Sequence, residues 1–521
     1  MSLSRTFCTV PCIFFLCLGV GLSGCSTLPS QENRSASVAF ADTGNTRLAK
    51  AVAPRVAANP GYSGIHPLAA HDAFAARLLL TSVAERSLDV QYFVWHKDMT
   101  GTLLFNGLNK AADRGVRVRL LLDDSNTSGL DPILAALDAH PNIEIRLFNP
   151  FVVRGARLLN FMFDFSRLNR RMHNKSFTAD NQVTIVGGRN VGDQYFGAPG
   201  GVMFADLDVL AVGPVVDAVS NIFDRYWASE SAYPLDRLLP PADSNAFAEL
   251  TTTVARVQNT PGTDKYTRAV HDSLLMRELD AGQLSLEWAA TRVISDDPVK
   301  GLGQAAPEAL MLYKLKQIIG TPTSEVDLVS PYFVPSAAAV AAFSALSKQG
   351  VKIRVLTNSL EATDVATVYG GYARSRKPLL EAGVELYEIP HLLPSAVRHF
   401  KSDEHEPSGS SKSGLHAKTF SVDQSRVFVG SFNFDPRSEK LNTEMGFIIE
   451  SPPLARRISH AFLHTIPDNA YQLGLSDNGD LYWIKRLKEG EQRRYEVSPG
   501  TTFLQRARVW FISLLPIDWL L

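Results

Sequence analysis

The alternation of apolar and polar positions predicts a strand–helix–strand unit in each half of the chain. Each unit is an apolar run, an amphipathic helix that ends near a glycine, and a second apolar run: 87–94, 101–114 and 116–123 in the first half, and 325–334, 337–348 and 351–354 in the second. This order favours βαβ connections and parallel strands. We therefore predict an α/β fold of two pseudo-symmetric lobes, each a mixed, largely parallel sheet flanked by helices.

The remaining stretches of the chain suggest further boundaries. An apolar stretch from Val10 to Leu22 follows Arg5 and is short for a bilayer span, which is typical of a signal peptide. Six segments are expected: 1–24, a signal peptide; 25–64, a lipidated cysteine and tether; 65–235, the first lobe; 236–300, an inter-lobe linker; 301–470, the second lobe; and 471–521, an extension with an apolar tail. The tail is either an interfacial anchor or packed on the body.

Cysteine usage points to export with lipid attachment. All four cysteines lie within the first 25 residues, so the folded part offers no disulfide framework and no cysteine metal site. The sequence Leu-Ser-Gly before Cys25 resembles a bacterial lipobox, with an uncleaved signal anchor as the alternative. We expect a cell-envelope protein that is lipid-anchored through Cys25 and faces the periplasm. Because no Asp follows Cys25, the outer membrane is favoured over the inner one.

Net charge argues against nucleic acid as a partner. The chain has 52 basic and 53 acidic residues, whereas nucleic-acid-binding proteins usually carry a basic excess or a basic face.

A chemical motif, H-x-K-x4-D followed by a glycine-rich turn and an asparagine, occurs twice. Its residues are His173, Lys175, Asp180 and Asn190 in the first copy, and His416, Lys418, Asp423 and Asn433 in the second. The two histidines are 243 positions apart, as are the two aspartates and the two asparagines. Strand alternation places each His and Lys on one face, where an imidazole and an ammonium favour an anion. Ser431 adds a hydroxyl in the second copy, and Gly188 stands at its place in the first.

These paired motifs resemble those of the phospholipase D superfamily. The segment 433–444, NFDPRSEKLNTE, is similar to that of bacterial cardiolipin synthases of the C type, and the resemblance runs from about Ala69 to the C-terminus. It implies a phosphatidyltransferase that acts on phospholipids at a membrane surface without metal or cofactor. Each half contributes one histidine, so the site is expected between the lobes and one chain suffices to complete it.

The resemblance also implies roles for individual residues. One histidine attacks phosphorus and becomes a phosphohistidine, while the other protonates the leaving alkoxide and then activates the acceptor hydroxyl. Lysines and asparagines, with Ser431, bind the phosphate oxygens. Glu444 is expected to orient a histidine, with Asp206, or alternatively Asp208, as its counterpart. Asp180 and Asp423 belong to the motif and are expected to be mainly structural.

Several alternatives remain at this point. A phospholipase D would use water as the acceptor, a nuclease of the same superfamily would cleave another phosphodiester, and a non-catalytic scaffold is the remotest reading. The segment 151–171 mixes arginines with Phe161, Met162, Phe163 and Phe165. It is either a wall for a lipid acceptor or a core helix with a solvated basic face.

Overall fold

The computed structural model describes residues 28–198, 203–243, 246–363, 365–391, 413–487 and 490–515. The predicted signal peptide, Cys25 and the end of the apolar tail, 516–521, lie outside the described residues. No helix in the described ranges is long and apolar enough to cross a bilayer.

The first lobe is built on a mixed sheet with strand order β9-β4-β3-β2-β5-β6-β8-β1. The strands of this half are β1 (Ser63–Leu68), β2 (Ser87–Tyr92), β3 (Arg117–Asp123), β4 (Ile143–Phe148), β5 (Ser176–Ala179), β6 (Val183–Gly187), β7 (Met203–Ala205), β8 (Asp208–Val212) and β9 (Ala232–Pro234).

The second lobe repeats this order as β18-β13-β12-β11-β15-β16-β17-β10, and β19 and β20 extend it beyond β18. Its strands are β10 (Glu287–Ser295), β11 (Glu325–Val329), β12 (Lys352–Asn358), β13 (Glu385–Ile389), β14 (Ser413–Leu415), β15 (Thr419–Val422), β16 (Arg426–Gly430), β17 (Met445–Glu450), β18 (Tyr471–Leu475), β19 (Leu481–Arg486) and β20 (Gln492–Tyr495).

The α/β class and the pseudo-symmetric mixed sheets are confirmed, but the parallel part is smaller than expected. In the first lobe β2, β3 and β4 are parallel, and in the second β11, β12 and β13 are. The other pairs in both main sheets are antiparallel. Among them are the motif strands β5–β6 and β15–β16, which are joined by tight turns that only antiparallel neighbours permit.

Helices cover the sheets of both lobes. Those before residue 300 are α1 (Arg47–Ala57), α2 (Ala70–Val83), α3 (Met99–Asp113), α4 (Asp131–Asp138), α5 (Arg157–Leu168), α6 (Asp193–Phe196), α7 (Val215–Trp227), α8 (Ala246–Gln258), α9 (Thr263–His271) and α10 (Leu274–Asp280). Those after it are α11 (Met311–Ile319), α12 (Ala337–Lys348), α13 (Ala366–Glu381), α14 (Pro436–Lys440), α15 (Pro452–His460), α16 (Ile466–Asn469) and α17 (Phe503–Ser513).

The lobes are joined edge to edge. Strand β1 pairs antiparallel with β10, with Ser63 opposite Ala289, so the two sheets are continuous. A buried apolar cluster contains matching residues of both lobes, with Ile65, Val186 and Val209 from the first and Val427, Val429 and Phe447 from the second. Burial of this shared core stabilises the lobe interface.

Two segments that the sequence suggested as connectors carry structure. Within 236–300, helices α8 to α10 pack on the first lobe, and β10 is a strand of the second. Within 25–64, the described residues lie along the first lobe. The Ala39 amide donates to the Asp224 carboxylate at 2.9 Å, and Phe40 lies 3.7 Å from the Arg117 guanidinium.

The described part of the tail packs on the body. Helix α17 contacts α13, where Ile512 lies against Gly370, and Val509 is buried in the core of the second lobe. The opposite side of α17 exposes Trp510 and Phe511.

Candidate active site

Each lobe extends a strand-like segment into the other lobe beside a motif histidine. The His173 amide donates to the Thr443 carbonyl at 2.9 Å, and Met172 and Thr443 form a parallel bridge. On the other side β14 pairs parallel with β7, and the His416 amide donates to the Ala205 carbonyl at 2.8 Å. The residues that follow Thr443 and Ala205, which are Glu444 and Asp206, therefore reach the histidine of the opposite lobe.

The two carboxylates are thus exchanged between the lobes. Glu444 Oε2 lies 2.8 Å from His173 Nδ1, and Asp206 Oδ2 lies 2.5 Å from His416 Nδ1. A neutral ring that donates its Nδ1–H to a carboxylate keeps a lone pair on Nε2, which is the atom left to face a substrate. Neither half of the chain alone provides an oriented histidine.

The alternative residue Asp208 has a different role. Its Oδ2 accepts a hydrogen bond from Arg77 Nη2 at 2.7 Å, and its Oδ1 accepts from the Arg189 amide at 3.1 Å. Both charged side chains of the Arg77 pair are buried, so Asp208 stabilises the first lobe and Asp206 orients the histidine.

Both motif lysines are buried beside the histidines. Lys175 Nζ donates to the His173 carbonyl at 2.5 Å, and Lys418 Nζ donates to the His416 carbonyl and lies 2.9 Å from His416 Nδ1. Burial lowers the pKa of Lys175 well below its ordinary value, although the Glu444 charge opposes this. The ammonium form of two lysines buried at one place favours the arrival of an anion.

Both imidazoles are neutral at pH 7. Burial and the charge of Lys175 lower the pKa of His173 well below its ordinary value. Burial and Lys418 lower the pKa of His416 to about 4, although Asp206 acts in the opposite direction. A neutral imidazole is the nucleophilic form, and a bound phosphodiester would raise the pKa of the partner ring so that it can donate a proton.

The two carboxyls differ in protonation. Burial raises the pKa of Glu444 to about 7, against the Lys175 charge and the hydroxyl donors Ser431 and Ser438. Burial also opposes ionisation of Asp206, but His416 and Lys418 hold the pKa of Asp206 well below its ordinary value. The site is therefore asymmetric in charge although its backbone is pseudo-symmetric.

The two copies of the motif also differ at the position after the first glycine, which is Gly188 in one and Ser431 in the other. Ser431 Oγ donates to Glu444 Oε2, and Ser438 Oγ donates to Glu444 Oε1 at 2.7 Å. A Cβ at Gly188 would lie 2.2 Å from Asp206 Oδ1, so the first copy has no room for a serine. There the Leu207 amide donates to Asp206 Oδ1 at 2.8 Å instead.

The motif asparagines lie beside the site but are not equivalent. Asn190 Oδ1 accepts from the Val94 amide at 3.2 Å, and its Nδ2 donates to the Tyr195 hydroxyl at 3.1 Å. Asn433 is also buried, and its Oδ1 finds no partner among the described residues.

Asp180 and Asp423 hold backbone. Asp180 accepts hydrogen bonds from the amides of Glu85, Arg86 and Ser87, and Asp423 accepts from those of Thr323, Ser324 and Glu325. Each aspartate thus fixes the start of the strand, β2 or β11, that runs beside its motif strand.

Sequence reasoning missed several contacts of the histidines. Phe93 packs edge-on against His173 at 4.9 Å, and Tyr195 packs edge-on against His416 at 5.2 Å between ring centroids. Two further residues were not predicted to have a role of their own. Ser438 donates to Glu444, and Arg437 donates to Asn169 in the other lobe. The repeated Tyr-Phe-Val at 92–94 and 332–334 was a signal that could have found Phe93.

The segment expected to be a lipid wall forms α5. Phe161 is half-buried and lies 5.7 Å from Phe151, whereas Met162, Phe163 and Phe165 are exposed. Four of its five arginines form ion pairs: Arg154 with Asp124 and Asp131, Arg157 with Asp124, Arg167 with Asp164, and Arg171 with Asp123. The fifth, Arg170, donates to Ser166. The helix is therefore not a core helix.

Comparison with known proteins places the chain in a family. The family described as "Cardiolipin synthase, PLD-like domain" matches residues 80–227 and 315–466. The chain is 50% identical over 478 residues to cardiolipin synthase C of Escherichia coli (strain K12), covering 91% of this chain and 100% of that protein. It is 26% identical over 401 residues to cardiolipin synthase A of Pseudomonas putida, covering 76% of this chain and 67% of that protein.

A solved structure supports the fold alone. Phosphatidylserine synthase from Haemophilus influenzae Rd KW20 aligns with a TM-score of 0.52 at 13% identity, over 90% of this chain and 99% of that chain. The two matched domains contain the two histidine motifs. The chain belongs to the cardiolipin synthase family of proteins with phospholipase D-like domains.

Proposed function

We propose that the protein is a phosphatidyltransferase of the cardiolipin synthase type, which moves a phosphatidyl group between phospholipids through a phosphohistidine. The observation that carries this proposal is the pair of buried, neutral histidines, each bound through Nδ1 to a carboxylate of the opposite lobe. The 50% identity to cardiolipin synthase C of Escherichia coli over that protein's whole length supports the same reaction class.

The reaction balances with these groups alone. One histidine Nε2 attacks phosphorus, so an N–P bond forms while the P–O bond to the leaving alcohol breaks and the second histidine gives that oxygen a proton. The acceptor hydroxyl then gives its proton to the second histidine and attacks phosphorus, which breaks the N–P bond. Lys175, Lys418 and the asparagine amides face the charge that grows on the phosphoryl oxygens.

The proposed localisation is the cell envelope, at a membrane surface. Lipidation of Cys25 would attach the protein to the periplasmic face of a membrane, with the outer membrane favoured. Cys25→Ser should abolish incorporation of a fatty-acid analogue, with wild type as the positive control. Label retained on the variant would exclude Cys25 as the anchor.

The intermediate itself can be trapped. His173→Ala and His416→Ala should each lower turnover on phosphatidylglycerol by at least about 10²–10⁴ while leaving the fold intact. After an alkaline quench, which preserves N–P bonds, mass spectrometry should find a phosphatidyl adduct on one histidine only. Near-normal turnover of either variant would contradict a shared two-histidine site.

A further inference from the structure

Helix α5 presents an apolar face to solvent. Leu158 is 82% exposed, Met162 76%, Phe163 60% and Leu159 50%. Contiguous exposed apolar side chains of this size on a soluble body mark a surface that binds something apolar.

The orientation of this face is fixed by buried anchors. Asn160 is buried, and its Oδ1 accepts hydrogen bonds from the Val152 and Val153 amides at 3.0 and 2.9 Å. Arg157, the first residue of the helix, donates to the Asp124 carbonyl at 2.7 Å, and Arg154 just before the helix donates to Asp131 at 2.7 Å. The helix therefore holds its apolar side outward, and the leucines are not displaced core residues.

The first described residues are connected to the end of this helix by a series of hydrogen bonds. Gln31 Nε2 donates to the Glu230 carbonyl at 2.6 Å, and the neighbouring Ser231 carbonyl accepts from the Asn149 amide at 2.8 Å. Asn149 Nδ2 in turn donates to the Arg170 carbonyl, just beyond the end of α5, at 2.9 Å. Asn149 thus links the segment that holds Gln31 to the end of α5.

Only two residues separate Cys25 from Leu28. An extended chain covers at most about 3.6 Å per residue, so a lipid on Cys25 would lie within about 11 Å of Leu28. Because Gln31 and Arg34 donate to the carbonyls of Glu230 and Ser229, that lipid stays near this end of the first lobe while the contacts persist.

We infer that the exposed face of α5 docks into the lipid surface that holds the Cys25 anchor. This inference rests on the proposed lipid anchor for its choice of occupant. Apolar side chains at 158, 159, 162 and 163 enter the boundary between head groups and acyl chains, as in an interfacial helix. His173 follows the end of α5 by five residues, so docking brings the first motif close to the lipid surface.

The cysteine content makes a depth measurement specific. All four cysteines lie at or before residue 25, so a cysteine introduced into the body is its only free thiol if Cys25 is lipidated and residues 1–24 are removed. Leu158→Cys, labelled with an environment-sensitive dye, is placed in phosphatidylglycerol vesicles that contain brominated lipids. The matched control is Leu463→Cys, an exposed leucine of the second lobe.

The label at 158 should shift to the blue and lose at least about half of its emission to the brominated lipids, because it enters the interface. The label at 463 should remain as in water. A water-like label at 158 would overturn the inference, as would 158–158 disulfide cross-links between copies of the unlabelled variant under mild oxidation. The second outcome would mean that α5 binds another copy of this chain.

A rate measurement separates docking from chemistry. Leu158→Ser/Leu159→Ser should lower turnover of vesicle phosphatidylglycerol by about tenfold or more and leave turnover of a monomeric short-chain phosphatidylglycerol unchanged. Equal loss on both substrates would contradict docking. Failure of wild type on both substrates would contradict the proposed function, while the dye experiment would still report on docking.

Discussion

At the scale of single residues, each motif histidine is bound by a carboxylate from the other half of the chain. His173 is oriented by Glu444 and His416 by Asp206, and both rings are neutral in the free protein. This crossing couples the integrity of the lobe interface to the reactivity of each ring. The two carboxyls also differ in charge, because the pKa of Glu444 is raised and that of Asp206 is lowered.

The crossing can be tested by the tautomers of the rings. In ¹⁵N-histidine spectra, Glu444→Gln should change the Nδ1 and Nε2 signals of His173 and leave those of His416 in place. The reason is that the new glutamine amide, which can both donate and accept a hydrogen bond, faces only the His173 ring. Asp206→Asn should do the reverse. A change of the same-lobe histidine instead would show that the pairing is wrong.

The raised pKa of Glu444 predicts a pH-dependent effect on stability. Its pKa rises from 4.5 to about 7 in the folded protein, so its contribution is fully present below pH 4.5 and is lost as pH rises through 7. Glutamine cannot ionise, so the free energy of unfolding of Glu444→Gln relative to wild type should improve by about 1–3 kcal/mol between about pH 5 and about pH 8.

Asp206→Asn is the control for this comparison. Asp206 is ionised across that range because its folded pKa is depressed, so its variant should show no such trend. Denaturant unfolding of both variants and of wild type at several pH values measures the difference. A pH-independent offset for Glu444→Gln would contradict the assignment.

At the scale of elements, each motif is a β-hairpin bound to a neighbouring strand, β2 or β11, that runs antiparallel to it. Asp180 has a φ of 51° and Asp423 a φ of 51°, a left-handed turn that Asp and Asn adopt more readily than other side chains. The carboxylates in these turns bind amides at the start of β2 and β11. The aspartates therefore act on the position of the motif strands.

Asp180→Asn and Asp423→Asn should accordingly lower the free energy of unfolding and have little effect on kcat. Asparagine suits the turn but weakens the charge-assisted bonds to the amides, so each change should cost about 1–3 kcal/mol of unfolding free energy. The kcat of the remaining folded enzyme should stay within a few-fold of wild type. A loss of kcat of at least about 10², with unchanged stability, would make these residues catalytic instead.

The missing hydroxyl in the first copy gives another prediction. Gly188→Ser would place Cβ against Asp206 Oδ1 and displace the carboxylate from His416, so kcat should fall by at least about 10². Ser431→Gly removes one donor to Glu444 but leaves Ser438, and should cost only about tenfold. Steady-state kinetics of both variants decide this, and wild-type activity of Gly188→Ser would contradict the steric account.

At the scale of the whole molecule, the local sequence pattern predicted the repeated units but could not predict how the two lobes assemble. The spacing of His173 and His416 predicted a candidate site shared by the two halves, and helices α3 and α12 lie where helical periodicity placed them. The exchange of Glu444 and Asp206 depends on contacts between residues more than 200 positions apart, which no local pattern encodes.

The same limit applies to the connecting segments. Residues 28–46 carry few periodic apolar positions, yet their backbone is bound by Asp224 and Arg119 of the first lobe. The exposed face of α5 has the same composition as a core helix would have, and only tertiary structure decides which side is buried.

The proposed reaction transfers the phosphatidyl group to a lipid alcohol in preference to water. Since water is present at about 55 M, a bound and oriented acceptor must supply a high effective molarity at the phosphohistidine. The most direct measurement is the product ratio from purified protein and phosphatidylglycerol vesicles, with and without phosphatidylethanolamine, quantified by mass spectrometry. Cardiolipin in excess of phosphatidic acid is the expected result. Phosphatidic acid as the dominant product with either vesicle would contradict transfer to a lipid alcohol.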